Sequence, residues 1–161
     1  RATSDPHFFA EVFGQDSWSD EASEINSTSG DNEFEDGMVE LVVSASKPET
    51  AKHAAKTLNS LSARLRSGLD ETVDAGELTL MSAVGLEVLR FCGRSEEVQA
   101  ATIDLMDALT DYPTIRDEDL NRVVDTCKAA SHETSFFWIA VMALETMDKA
   151  LNLLHIRRHS E

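Results

Sequence analysis

Basic residues are scarce in this chain. Lys and Arg number 14 against 30 Asp and Glu, for a formal net charge of -16. So acidic a chain is repelled by nucleic-acid phosphates and by anionic membrane surfaces, which argues against non-specific binding to either. Long apolar runs are also missing. The longest, residues 136–144, has nine members, against about 20 for a membrane-spanning helix. Only two cysteines occur, and the spacing of Cys92 and Cys127 fits no zinc or redox motif. Both fall on apolar sides of predicted helices, which reads as two buried free thiols behaving as small hydrophobes. A disulfide between helices and a reactive thiol stay open as alternatives. At 161 residues the chain is too short for a TIM barrel and tight for a doubly wound dinucleotide-binding fold. It is long enough to bury roughly 70% of its unfolded surface without a covalent or metal staple.

The motifs of common chemistries are absent as well. Zinc proteases need two histidines one helical turn apart with a glutamate beside the first. Here His132 is followed by Glu133, but position 136 is Phe. His155 and His159 stand four apart, as two ligands of one metal would, but without a third strong ligand nearby they read as solvated histidines. The glycines at 30 and 37 lack the strand–loop–helix context of a phosphate loop, and no nucleophile elbow occurs. Acidic pairs such as Glu96-Glu97 arise by chance among 30 carboxylates. None is marked as the desolvated partner that acid–base catalysis requires. The acids before Gly37 are out of register for a calcium loop. No catalytic, cofactor-binding or metal-binding residue is assigned, and no cofactor is expected.

What is present falls into two parts. Residues 1–46 hold eleven acids and one base, and residues 47–161 nineteen acids and thirteen bases. The charge split places a boundary near Ser46, giving an acidic segment, 1–46, and a helical domain, 47–161. Residues 14–37 include eight acids, five serines and no base, too little apolar area to drive folding, so the segment is expected to be mostly irregular. Large hydrophobes are nevertheless spaced through it: Phe8, Phe9, Phe13, Trp18 and Phe34. Aromatics kept accessible by surrounding acids suit docking into a groove with a basic rim, so these five are the candidate partner-binding residues. The same mix suits a lid on the helical domain or imitation of nucleic-acid charge toward a basic partner. Asn26 begins a glycosylation acceptor triplet, and Ser17, Ser19 and Thr28 sit among acids as phosphorylation sites do. The chain opens on Arg1 rather than Met, as a processed product or a piece of a longer protein would. Nothing in it names a compartment.

From Ser46 on, the periodicity is helical. Ser46 and Glu49 frame a capping box, and Ala51, Ala54, Ala55, Leu58, Leu61 and Leu65 repeat at spacings of three and four. A second helix follows a cap at Asp74 and presents Leu78, Met81, Val84, Gly85, Val88, Phe91 and Cys92. Gly85 costs that helix about 1 kcal/mol relative to Ala, and a close helix crossing is one reason to keep it. Ser95 caps a third helix with Val98, Ala101, Thr102, Leu105, Ala108 and Leu109 inward. Thr114 and Asp117 frame the start of a fourth, with Leu120, Val123, Val124, Cys127 and Ala130. The last spans about 134 to 158 and is apolar all round in its middle, which predicts a central position. The β-branched stretch 38–43 reads as an extended or helical lead-in. The expected fold is therefore all-α, an antiparallel bundle of about five helices.

These readings point to a non-enzymatic interaction or assembly module, with the acidic segment as a docking arm. Its partner is a protein with a basic surface or another subunit; direct nucleic-acid contact and membrane insertion are not expected. Two alternatives stand beside it. One is a small helical enzyme with a cryptic polar site. The other is a structural subunit of a larger homo- or hetero-assembly such as a virion, which a large apolar patch on the last two helices would favour.

Overall fold

The structure, a computed structural model, describes the backbone of residues 30–67, 73–92 and 95–160, and the side chains of those residues from Asp36 onward except Cys92. Every regular element among them is an α-helix: α1 (Gly30–Ala45), α2 (Ala51–Ser67), α3 (Ala75–Cys92), α4 (Glu96–Thr110), α5 (Asp117–Glu133) and α6 (Phe137–His159). Together they make a helical bundle. The helix beyond the expected five is α1, which absorbs residues 38–43. The charge boundary near Ser46 coincides with the turn after α1, yet α1 packs into the common core. Met38, Leu41 and Ala45 are buried there, and the helix lies against α2 and α3.

The inward faces of α2, α4 and α5 follow the periodicity of the sequence. Ala54, Ala55, Leu58, Leu61 and Leu65 are buried on α2, and Leu120, Val123, Cys127 and Ala130 on α5. On α3, Leu78, Met81, Val84 and Val88 point inward, whereas Phe91 is 53% exposed and Leu89 takes the inward position in the last turn. Asp74 fulfils its capping role in part: its N–H donates to Glu77 Oε1 (3.3 Å) and its carbonyl accepts from Leu78 N–H (3.0 Å). Ser95 caps α4, its Oγ accepting from Val98 N–H at 3.2 Å.

Two other expected caps are displaced. Helix α2 starts at Ala51 rather than near Ser46. Ser46 Oγ instead donates to the carbonyl of Val43, and Thr50 Oγ1 reaches back to the carbonyl of Ser44 at 2.7 Å. These bonds satisfy the frayed carbonyls at the end of α1, so the Ser46 side chain is spent on closing that helix. At α5 the residue before the first turn is Arg116, with no side-chain cap; Asp117, Glu118 and Asp119 supply the favourable charge at the helix start instead.

The largest departure concerns which helix is central. It is α4, not the last helix. Helix α4 packs against α2, α3, α5 and α6, and Ile103 and Met106 are fully buried beside the expected stripe. Close approach makes this possible. A Cβ placed on Gly85 of α3 would lie 2.8 Å from Met106 Cε and 3.1 Å from Thr126 Cγ2. Gly85 thus marks the point where α3 meets α4 and α5 at once, the close crossing that justifies a helix-weakening residue.

Candidate functional site

Helix α6 lies at the side of the bundle, on α4 and α5. Its start is set by a polar turn. Thr134 Oγ1 donates to Gln99 Oε1 on α4 (2.6 Å) and accepts from Phe136 N–H (3.1 Å). The side turned to the core carries Ile139, Ala143, Thr146 and Ala150, the only residues of α6 that are buried. Three of the four are small, so the helix seats closely. Cations on its flanks tie it down: Lys149 reaches Asp107 of α4 and Asp111 at its C-cap, both at 2.8 Å, and Arg157 reaches Asp117 of α5 at 2.8 Å. Burial opposes the Lys149 charge, but the hydrogen bonds and charges of those two aspartates outweigh it and raise its pKa. Asp107 also accepts from Arg66 of α2 at 2.8 Å, so one carboxylate joins α2, α4 and α6.

The opposite side of α6 is apolar and open. Phe137 is 83% exposed and Leu144 47%, and Val141 and Leu151 stand in the same line. The steps from 137 to 141, 144, 148 and 151 alternate four and three, the spacing of a coiled-coil seam. Asp148 fills the one polar position in that run, with Glu145 beside it; both are exposed, and neither forms an ion pair among the described residues. Ile156, 60% exposed, and Trp138 flank the seam. The indole N–H of Trp138 donates to Glu96 Oε2 at 2.7 Å. That ring forms one wall of a groove of about 610 Å³ between α2, α4 and α6, with Met142 beside it and Lys52 and Lys56 opposite. No family model, curated protein or solved structure matches the chain. What the surface can do is therefore read from its own chemistry.

The strip is apolar apart from Asp148 and lies on a helix anchored from behind by Lys149 and Arg157. The sequence placed the partner-binding residues elsewhere. Phe8, Phe9, Phe13 and Trp18 lie outside the described residues, as do Asn26 and the phosphorylation candidates; Phe34 falls within α1, but its side chain is outside the described ones. The apolar run of α6 reads in the sequence as a sign of burial all round, whereas only one side of the helix is buried. One signal lies in the pattern: Ala143, Thr146 and Ala150 share the core side of α6 with Ile139, while Phe137, Val141, Leu144 and Leu151 share the other side with Asp148 and His155.

Asp119 is fully buried where α5 meets α3. Its Oδ1 accepts from Thr79 Oγ1 (3.1 Å), Ser82 Oγ (3.3 Å) and Arg122 (2.8 Å), and Arg116 Nε stands 3.6 Å from Oδ2. Three donors converge on Oδ1, while Oδ2 is buried without a hydrogen bond and faces only the Arg116 charge; a carboxylate so held joins α5 to α3 as a structural pin. Cys127 is a buried free thiol, and burial, helped by the charge of Asp107, pushes its pKa up to about 12. It is no nucleophile at neutral pH. The Cys92 side chain lies outside the described ones. The rings of His155 and His159 lie 4.3 Å apart, tilted by 56°. Among the described residues no group of three or more His, Cys, Asp or Glu is placed to hold a metal, and no helix is long and apolar enough to cross a membrane.

Proposed function

We propose that the chain is a protein–protein interaction or assembly module that receives its partner along the outer side of α6, with the acidic N-terminal segment as a second docking arm. The exposed strip of Phe137, Val141, Leu144 and Leu151 carries this reading. With Trp138 and Ile156, and taking about 200 Å² for each large side chain, it leaves about 600 Å² of apolar surface open. That is at the upper end of what one patch on a monomer exposes. It is also close to one partner's share, about 800 Å², of a standard interface. The rigidity behind the strip matters as much as its area: a face already anchored by Lys149 and Arg157 loses little freedom on binding.

The small-enzyme alternative has less support, because the fully buried carboxylate of Asp119 is engaged by Thr79, Ser82 and Arg122 and the buried thiol of Cys127 is held protonated. The test is cross-linking in extract of the source cells, followed by mass spectrometry, on the full chain and on Phe137→Gln/Leu144→Gln. Circular dichroism should show the same helix content for both. Cross-links to a partner are expected to map onto α6 and to vanish in the variant. A variant that keeps every cross-link removes the α6 surface from the function.

A further inference from the structure

Three occupants could cover the outer side of α6: the chain's own N-terminal segment, a second copy, or a different protein. Charge separates them. The seam is interrupted by Asp148, with Glu145 beside it, and neither pairs with a cation among the described residues. Two cations of α6 itself are committed, Lys149 to Asp107 and Asp111 and Arg157 to Asp117, while Lys52 and Lys56 of α2 lie at the far end of the strip, in the groove beside Trp138. Toward the last turn only His155, Arg158 and His159 add positive character.

Residues 1–29, ahead of α1, carry six acids and one base, so the N-terminal segment would bring like charge onto Glu145 and Asp148. A second copy meets the same obstacle. Parallel pairing in register sets Asp148 against Asp148. Antiparallel pairing that layers Val141 on Leu151 sets Leu144 against Asp148 and crowds Glu145 and Asp148 of both copies around the twofold axis. A polar residue at one seam position selects among pairings at a cost in stability, and here it disfavours both self-pairings. A chain at -16 also repels its own copies at long range.

Resting on the α6 reading above, we infer that the occupant is a basic amphipathic helix of another protein. Its apolar residues recur at spacings of three and four, and Lys or Arg flank them where they reach Asp148 and Glu145. The apolar strip supplies contact area, and the two carboxylates set register and exclude acidic competitors. Trp138 extends the contact at the N-terminal end, beside a groove of mixed charge where Glu96, Glu97 and Asp104 stand with Lys52 and Lys56.

The experiment uses the full chain and three synthetic helical peptides of equal length, read by fluorescence anisotropy. The first has Leu at seam spacing with flanking Lys, the second the same Leu with flanking Glu, and the third the first composition scrambled to break the stripe. The basic striped peptide is expected to bind at least tenfold tighter than either control. Phe137→Gln and Leu144→Gln each weaken it about tenfold or more without changing net charge, and Asp148→Lys shifts preference toward the acidic striped peptide. Equal binding of the scrambled basic peptide overturns the inference, since only general charge attraction would be at work. If both striped peptides bind equally and both need Phe137 and Leu144, α6 remains the docking face but the basic partner is wrong. No binding by any peptide, with the chain sedimenting as a dimer that Leu144→Gln dissociates, gives the face to a second copy. Tighter binding by the full chain after Phe8, Phe9, Phe13 and Trp18 are replaced by Ser gives it to the N-terminal segment. No binding in any of these settings overturns the α6 reading together with the inference.

Discussion

Replacing Asp119 tests whether a single buried carboxylate pins α3 to α5. Its side chain is fully buried, and three hydrogen bonds end on it, from Arg122 (2.8 Å), Thr79 (3.1 Å) and Ser82 (3.3 Å). The charge-assisted bond is worth about 1.5–3 kcal/mol and each hydroxyl bond about 1 kcal/mol. Breaking a fully buried ion pair costs about 3–5 kcal/mol. Arg122 and Arg116 are 38% and 46% exposed, so after Asp119→Ala they turn to water instead of remaining buried without a partner. Ser82 also keeps a bond to the Thr79 carbonyl at 2.8 Å. The expected loss for Asp119→Ala is therefore about 3 kcal/mol, at the low end of the buried-pair range. Asp119→Asn keeps acceptors for the hydroxyls and should lose about 1 kcal/mol. Arg122→Ala should fall between them, since Asp119 retains Thr79 and Ser82. Urea unfolding followed by circular dichroism measures all three. An Asp119→Ala loss below about 1 kcal/mol, or an Arg122→Ala loss larger than that of Asp119→Ala, would refute the placement of Asp119 at the centre of this cluster.

Two further substitutions probe the core. Gly85→Ala gains about 1 kcal/mol in helix propensity but overpacks against Met106 and Thr126 at about 1–3 kcal/mol. Thermal melts should show a net loss, partly recovered when Thr126→Ser removes the methyl that a Cβ would meet at 3.1 Å; a clear gain would mean that the crossing is looser. Cys127 reports on pH. An unfolded thiol ionises near 9 while the folded one holds its proton to about 12. Between those values the unfolded chain binds fewer protons, and stability falls by up to about 1.4 kcal/mol per pH unit. Urea titrations from pH 8 to 11 on Cys92→Ser should show that slope, and Cys127→Ala should remove its share. A slope unchanged by Cys127→Ala would refute the assignment.

Much of the bundle was legible because local chemistry and tertiary packing agree. Ser95 caps α4 as its sequence implies, and the inward stripes of α2 and α5 follow the three-and-four spacing. Other features depend on what lies across the interface. Ile103 and Met106 sit beside the main stripe of α4, and only the presence of four neighbouring helices shows that both are buried. Asp117, Glu118 and Asp119 look alike in sequence, but only Asp119 falls in line with Val123, Thr126 and Ala130 on the core side of α5. On α6 the error had a physical source. Hydrophobicity reports a preference to leave water, and an apolar run does not by itself say which of its side chains the bundle core covers. The charge boundary near Ser46 was real in composition, but Met38, Leu41 and Ala45 lie inside the core. A cut there would remove a wall of the domain along with the acidic segment.

The central place of α4 also governs the order in which the chain can assemble during synthesis. Helices α1, α2 and α3 leave the ribosome first, and α1 can settle on the other two. The sides of α2 and α3 that meet α4 stay wet until Thr110 has emerged. At about 5–20 residues per second, the 15 residues of α4 take roughly one to three seconds to make. During that interval a half-built shell with an apolar hollow is exposed to chaperones and to other nascent chains. The arrival of one helix closes it and gives α5 and α6 a floor on which to dock.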